Sequence, residues 1–267
     1  QLVPPVHGMG RRNTLLCQFP FRSGVEQWRA RQRWLLEYQR IAVYSEFAAE
    51  AVRHRLDEAR APQLPVSVLT PPVDVTDEPM RPVKSGIVST GRFFAGDHSK
   101  RQDLQIEAFR RLVETGRDQG ATLHLVGSSS TRPVHRRFLA ECMKSAEGLP
   151  VEFHVDAPLA DLKELYAACS VYWHSSGLGV DIEEEPERCE HFGIAPIEAM
   201  AYGTIPLVVD NGGPAVTVRD GVDGYHYRTV EELTERTAAL LRLSEDERRP
   251  MRRSARERAQ SFSMAAF

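Results

Sequence analysis

The chain has 267 residues, of which 42% are hydrophobic and 27% are charged, with a formal net charge of -3 and a sequence pI near 6.3. This composition is typical of a soluble globular protein with one large domain or two. The near-neutral charge balance argues against a nucleic-acid-binding protein, and no apolar stretch approaches the roughly 18 residues of a transmembrane helix. The four cysteines form no CxxC pair, which predicts reduced, mostly buried thiols in a cytoplasmic protein. The first residue is Gln, so we expect a piece of a longer protein.

The first 80 residues predict a small mixed segment that ends in a linker. Ser23 and Glu26 form a capping-box pattern, which predicts a helix over VEQWRARQRWLLEYQR, and RIAVYS then predicts a short buried strand. Ser45 is the expected cap of a second helix, FAAEAVRHRL, and PVSVL predicts another strand. The stretch TPPVDVTDEPMRP is rich in proline and lacks apolar periodicity, so we place a domain boundary there, between 1–80 and 81–267.

From about residue 83, short apolar runs alternate with amphipathic helical segments. The runs that predict strands are GIVST, ATLHLVG, VEFHV, VYWHS, IPLVV and GYHY. Regular alternation is typical of a parallel sheet covered on both faces, so we expect a doubly wound, Rossmann-like α/β domain. Such sheets bind ligands beyond the carboxyl ends of their strands, which directs attention to the loops that follow these runs.

The loop after GIVST, GRFFAGDHSKRQD, carries two cations that could lie at this edge of the sheet. Arg92 and Lys100 could hold a phosphate or diphosphate, the arginine as a fork and the lysine as a point charge. Taken alone, solvated basic residues near a helix start explain the loop better, because lysine and arginine are common on surfaces.

The segment EHFGIAPIEAMAYGTIP is more informative. Gly193 allows a close backbone approach, Pro196 suits a first helical turn, and Gly203 suits the residue after a helix. The free amides at the start of such a helix favour an anion. Glu190 precedes the turn and Glu198 lies among apolar neighbours, where an ionised carboxylate needs a partner.

The segment EHFGIAPIEAMAYGTIPLVV resembles the E-x7-E signature of the retaining glycosyltransferases with the GT-B fold, usually called family 4. GRFFAGDHSKRQD, VEFHVDAPLADLKELYAACSVYWHSS and DNGGPAVTVRDGVDGYHY resemble further motifs of that family in the same order, so the resemblance covers roughly residues 83–245. It implies the C-terminal, donor-binding domain, preceded by part of the N-terminal, acceptor-side domain. The combination WHS…EHFGI is similar to the mannosyltransferases that extend lipid-linked oligosaccharides.

The resemblance also implies roles for individual residues. Arg92 and Lys100 would hold the donor diphosphate. The spacing from Arg92 to Lys100 is longer than the family's commonest form, so Lys100 is less secure than Arg92 and Arg101 is its alternative. Glu190 would bind the transferred sugar, and Glu198 would bind the nucleotide ribose. Backbone amides would contact the sugar and phosphates at His191, Phe192, Gly193, Ile194 and Ala195.

The implied function is transfer of a hexose, with mannose as the favoured sugar, from a nucleotide-diphosphate sugar with retention of configuration. The expected acceptor is a glycan, a lipid-linked sugar or a small molecule, and no cofactor, metal or nucleic acid is expected. The alternatives are a non-catalytic nucleotide-sugar-binding fragment and a GT-B nucleotide-sugar epimerase. We expect a cytoplasmic location, with peripheral membrane contact through the absent N-terminal part left open.

Two other patterns predict less. The acidic run DIEEEPERCE contains no D-x-D motif and is more typical of a solvated loop than of a metal site. His174, Cys189 and His191 have no standard zinc spacing.

Overall fold

The computed structural model describes residues 8, 10–18, 25–82, 86–96 and 99–266. Its N-terminal part contains a small parallel sheet in the strand order β1-β2-β3. The described residues of this part form β1 Thr14–Leu16, α1 Val25–Leu35, β2 Arg40–Val43, α2 Glu46–Ala59 and β3 Val66–Val68. The apolar side chains of the two helices and of β2 pack into one core, with Trp28, Leu35 and Leu56 almost fully buried. Ser45 caps α2 as predicted, since its side chain accepts from the Ala48 amide.

The remainder of the chain forms a six-stranded parallel sheet. Its strands are β4 Gly86–Thr90, β5 Thr122–Gly127, β6 Val151–Val155, β7 Val171–His174, β8 Ile205–Val209 and β9 Tyr225–Tyr227. All five residues of β8 are buried, which is expected of a strand with helices on both faces. The helices are α3 Gln102–Glu114, α4 Pro133–Ser145, α5 Leu159–Ala168, α6 Ile194–Ala201, α7 Pro214–Thr217, α8 Val230–Arg242 and α9 Glu245–Gln260. The predicted doubly wound α/β class is confirmed.

The strand order of this sheet defines where a ligand could bind. The order is β6-β5-β4-β7-β8-β9, so the chain builds one half of the sheet outward from β4 and then returns to build the other half from β7. The loops after the adjacent strands β4 and β7 therefore run in opposite directions, and a crevice opens between them at the carboxyl ends of these two strands. These are the loops that carry GRFFAGDHSK and EHFG.

Some local predictions for the N-terminal part were wrong. The first helix ends at Leu35 and not at residue 40, because backbone bonds from Glu37 to Trp34 and from Tyr38 to Leu35 close a turn there. β1 was not predicted, since three residues with only Leu15 buried give no usable alternation. The predicted cap at Ser23 lies outside the described residues.

The proline-rich segment after β3 packs on the end of the chain. The Val73 amide donates to the Phe262 carbonyl at 2.8 Å, and buried Arg252 of α9 donates to the carbonyls of Arg81 and Gly203 at 3.0 and 2.9 Å. The proposed boundary between 1–80 and 81–267 stays a prediction. Among the described helices, none combines the length and apolar character needed to cross a membrane.

Candidate active site

A cleft of about 490 Å³ opens between the loops that follow β4 and β7. All the site residues predicted from the sequence line it, and so do several that were not predicted. The predicted ones are Arg92, Lys100, Glu190, His191, Phe192, Gly193, Ile194, Ala195 and Glu198. These residues therefore lie together in one cleft, and the individual roles assigned to them stay predictions.

An ion pair joins the two motif loops across the cleft. The Lys100 ammonium donates to a carboxylate oxygen of Glu190, and each side chain is about a quarter exposed, at 25% and 26%. Arg101 instead donates to the Leu178 carbonyl at 2.9 Å and pairs with Asp103. Lys100, and not Arg101, is therefore the cation from this stretch that reaches the cleft.

His174, the last residue of β7, lies beside this ion pair. Its Nε2 is 4.0 Å from a Glu190 oxygen, and neither ring nitrogen has a hydrogen-bond partner within the part of the chain that the structure describes. Burial lowers the pKa of His174, so the ring is neutral near pH 7. Burial alone would raise the pKa of Glu190, but Lys100 and His174 outweigh it, and the pKa of this carboxyl lies well below its usual range.

Glycines in two loops position Glu190 and the start of α6. The Glu190 carbonyl accepts from the Gly213 amide at 2.7 Å, which fixes the backbone before the helix. Gly193 has φ +87°, and a Cβ there would lie 2.8 Å from Cγ of Pro214. A side chain at Gly193 would thus be strained and overlapped. Gly193 makes no side-chain capping bond, so the amide groups that begin α6 can take an anion.

Glu198 projects from α6 toward a cluster of hydroxyl groups. One of its oxygens lies 3.5 Å from the Tyr166 hydroxyl, a long contact. Thr90 Oγ1 lies 3.2 Å from the hydroxyl of Tyr166 and 2.9 Å from that of Tyr172. Burial raises the pKa of Glu198, while Lys163 acts in the opposite direction. Glu198 thus lines the cleft as a partly buried carboxylate, and its oxygens can accept hydrogen bonds from a ligand there.

Arg92 lies at the rim of the cleft. Its guanidinium carbon is 4.6 Å from the centre of the Phe94 ring, which stacks in turn on His135 at 4.2 Å between centroids. This cation–π contact orients the Arg92 side chain. The Phe94–His135 stack was not predicted, because Phe94 lies in the loop after β4 and His135 lies in α4, far away in the sequence.

The small N-terminal sheet contributes to the same cleft. Ser45, the cap of α2, donates to the carbonyl of His191, and the His191 ring lies 3.1 Å from the Gln18 carbonyl through Nδ1. Gln18 and Tyr44 both line the cleft. Neither was predicted as a site residue from the sequence, since the contact depends on how the two sheets pack.

Two sequence patterns were weighed as metal sites, the acidic run and the set His174, Cys189 and His191. Among the described residues, His174, Cys189 and His191 do not converge as a metal-binding group. Part of the acidic run, including Glu183 and Glu187, lines a separate depression against α2. All four cysteines are buried, in line with the prediction of mostly buried thiols.

The sequence matches known proteins over most of its length. Residues 84–261 match the family model of glycosyl transferases group 1. A GDP-Man:Man(3)GlcNAc(2)-PP-Dol alpha-1,2-mannosyltransferase of Xenopus tropicalis is 29% identical over 68% of this chain and 36% of its own length. The human protein of the same name is 27% identical over 75% of this chain and 42% of its own length. The chain thus spans well under half the length of these curated relatives.

Solved structures support the fold independently. Anabaena HepE in complex with UDP-glucose superimposes with a TM-score of 0.69, at 17% identity, over 96% of this chain and 69% of that one. A glycosyltransferase from Rickettsia africae gives 0.64, at 16% identity, over 85% of this chain and 60% of that one. These similarities show the fold, and the family match covers the cleft and the sheet that carries it. The chain therefore belongs to the family of glycosyl transferases group 1.

Proposed function

We propose that this chain is the donor-binding part of a retaining glycosyltransferase that transfers a hexose, mannose, from a nucleoside diphosphate sugar. The observation that supports the proposal best is the arrangement at the switch point of the sheet. There the Lys100–Glu190 pair, the start of α6 and the Glu198 carboxylate line a single cleft. Cations and free amides suit a diphosphate, and carboxylates suit sugar hydroxyls.

The two halves of the donor would use different parts of this cleft. Arg92, Lys100 and the first amides of α6 would bind the diphosphate, whose charge would compete with Glu190 for the Lys100 ammonium. Glu190 would then accept hydrogen bonds from the transferred sugar. Glu198, which makes a long 3.5 Å contact with the Tyr166 hydroxyl, would accept from the ribose hydroxyls. Hydroxyls that satisfy a half-buried carboxylate stabilise it against the effect of burial.

The proposed reaction is a front-face substitution at the anomeric carbon. The bond between that carbon and the β-phosphate oxygen breaks, and a bond to the acceptor hydroxyl oxygen forms on the same face. The proton of that hydroxyl passes to the departing phosphate oxygen. Arg92, Lys100 and the amides of α6 stabilise the growing negative charge, an effect worth about 3–4 kcal/mol per contact in comparable sites.

We extend the donor of the curated relatives to this chain. Their names give GDP-mannose as the donor and a dolichyl-diphosphate-linked oligosaccharide as the acceptor. For the acceptor we extend only the class, a hydroxyl of a glycan. Gln18 and Tyr44, which follow β1 and β2 and line the cleft, would contact this acceptor.

A thermal-shift panel tests the donor assignment. The chain is unfolded by heating in the presence of GDP-mannose, UDP-glucose, UDP-N-acetylglucosamine, GDP or UDP, each at the same concentration. We expect GDP-mannose to give the largest increase in melting temperature, since a ligand at 100 times its Kd stabilises by about 2.7 kcal/mol. Arg92→Ala should reduce the shift, and Arg137→Ala, an exposed arginine on α4, should retain it. A panel in which no nucleotide sugar shifts the transition would contradict the proposal.

Product analysis separates transfer from the two alternative functions. Incubation of the chain with GDP-mannose alone would yield an epimerised nucleotide sugar if it were an epimerase. Binding without hydrolysis or transfer, in the presence of mannosyl acceptors, would indicate a non-catalytic binding protein.

A further inference from the structure

We propose that His124, Glu152 and His154 form a binding site for a divalent first-row transition metal, with zinc as the best match. The three residues lie on the two strands at one edge of the large sheet, β5 and β6. None of them lines the donor cleft. The site is therefore independent of the proposed glycosyl transfer.

The register of the sheet brings the three side chains together. In the parallel pairing of β5 with β6, His124 lies opposite Glu152, and His154 follows two residues later on β6. Register partners share a face of a parallel sheet, and residues two apart on a strand share it as well. All three side chains therefore project from the same face, beside each other.

The distances among the three ligating atoms form a nearly equilateral triangle. His124 Nδ1 lies 3.1 Å from His154 Nε2 and 3.3 Å from Glu152 Oε2, and the latter two atoms are 3.6 Å apart. Tetrahedral zinc has bonds of about 2.0–2.2 Å to nitrogen and oxygen ligands, which corresponds to ligand–ligand separations of roughly 3.3–3.6 Å. The observed triangle thus has the dimensions of one face of a zinc tetrahedron.

Hydrogen bonding explains this triangle less well than a cation does. A neutral imidazole carries one proton on its two nitrogens, so a proton on His124 Nδ1 can be shared with its two neighbours. That arrangement leaves no proton between His154 Nε2 and Glu152 Oε2, which are 3.6 Å apart. With the proton on His154 Nε2 instead, none lies between His124 Nδ1 and Glu152 Oε2, which are 3.3 Å apart. A cation at the centre would interact favourably with all three atoms at once.

The donor set and its exposure indicate which cation would bind. Two imidazole nitrogens and one carboxylate oxygen suit zinc and its first-row neighbours, whereas magnesium and calcium prefer oxygen ligands. The histidine side chains are 16% and 26% exposed, while that of Glu152 is 60% exposed. The imidazoles are therefore held by the sheet, and the ion can enter from solvent beside the carboxylate. A water molecule would complete four-coordination.

A bound metal would connect the edge strand β6 to β5 through side chains. Among the described strands, β6 lies at the edge of the sheet and pairs with β5. Because the ligands come from both strands, an ion that binds the folded sheet raises its stability by mass action. The expected role is structural, because none of the three ligands lines the cleft.

Metal titration tests the site directly. The chain is freed of metal with a chelator and titrated with Zn²⁺ by calorimetry, and Co²⁺ is then used for its visible absorption. We expect one high-affinity Zn²⁺ per chain, the absorption of tetrahedral Co²⁺, and a higher melting temperature with Zn²⁺ than with Mg²⁺. His154→Gln should weaken Zn²⁺ binding at least about tenfold, since even loss of an outer-shell partner costs metal sites 10–100-fold.

A matched control comes from another histidine–glutamate pair. His54 Nδ1 lies 3.3 Å from Glu58 Oε2 on α2, with a single imidazole, so His54→Gln should leave Zn²⁺ affinity unchanged. Circular dichroism of each metal-free variant checks its fold. Glu152→Gln, at an exposed position, replaces His154→Gln if that variant does not fold. Equal affinity in the wild type and the site variants, equal loss in His54→Gln, or an equal response to Mg²⁺ would each overturn the proposal.

Discussion

Glu190 and Glu198 line the same cleft, but their surroundings act on their charges in opposite directions. Lys100 and His174 hold the pKa of Glu190 well below its usual range, whereas burial raises the pKa of Glu198. Their spacing in the sequence marked both as site residues. Their difference could not be predicted, because the partner of Glu190 comes from a loop far away in the sequence and Tyr166 reaches Glu198 from α5.

The lowered pKa of Glu190 predicts how stability depends on pH. A carboxylate with a depressed folded-state pKa stabilises the protein above its unfolded-state pKa, near 4.5, and this contribution is lost as the pH falls toward the folded-state value. Glu190→Gln should therefore lower the free energy of unfolding by about 1.5–3 kcal/mol at pH 7, and by less below pH 4.5. Urea unfolding between pH 3 and pH 7 measures both values.

Glu164→Gln is the control for this experiment. Glu164 is paired with Arg81 but is 69% exposed, so its removal should change stability little at any pH. A Glu190→Gln variant that is as stable as the wild type at pH 7, or whose deficit grows on acidification, would contradict the stabilising role of the ion pair.

At the scale of elements, the turn before α6 sets the geometry of the cleft. Gly193→Ala should destabilise the chain through both its positive φ and its overlap with Pro214. Gly179→Ala has the same backbone strain, at φ +75°, but its Cβ would meet nothing within 4 Å. We expect Gly193→Ala to cost about 1–3 kcal/mol more than Gly179→Ala, the typical cost of overpacking, and to weaken donor binding.

Urea unfolding of both glycine variants, together with donor titration, measures this difference. Equal losses of stability in the two variants would show that the contact with Pro214 is absent, and unchanged donor affinity in Gly193→Ala would separate the turn from the site.

Most elements of the large sheet were predictable because they are regular, but the four-residue helix α7 was not predicted. Fully buried strands such as IPLVV are recognisable as continuous apolar runs, and helices such as α3 are recognisable from apolar residues at helical spacing. The motif loops then follow the strands. β1 and the end of α1 were not predictable in this way. Their bounds depend on parallel pairing with β2 and on two turn hydrogen bonds, which are contacts that no local pattern encodes.

At the scale of the whole molecule, the two sheets meet at the cleft. Ser45 both caps α2 and donates to the carbonyl of His191, so the small sheet helps to fix the backbone immediately before α6. The contact of His191 with Gln18 has the same effect from the end of β1. The N-terminal residues are therefore part of the site, although the family motifs lie almost entirely in the large sheet.

Titration calorimetry with GDP-mannose tests most directly whether this cleft binds the donor through its carboxylates. The wild type should bind one molecule, and Glu198→Gln should bind at least about tenfold more weakly, since a charged hydrogen bond contributes about 1.5–3 kcal/mol. Stability should not fall in Glu198→Gln, because a raised carboxyl pKa means that ionisation opposes folding at neutral pH. Glu183→Gln, in the separate depression, should retain wild-type affinity. Unchanged affinity in Glu198→Gln, or no binding by the wild type, would contradict the proposed site.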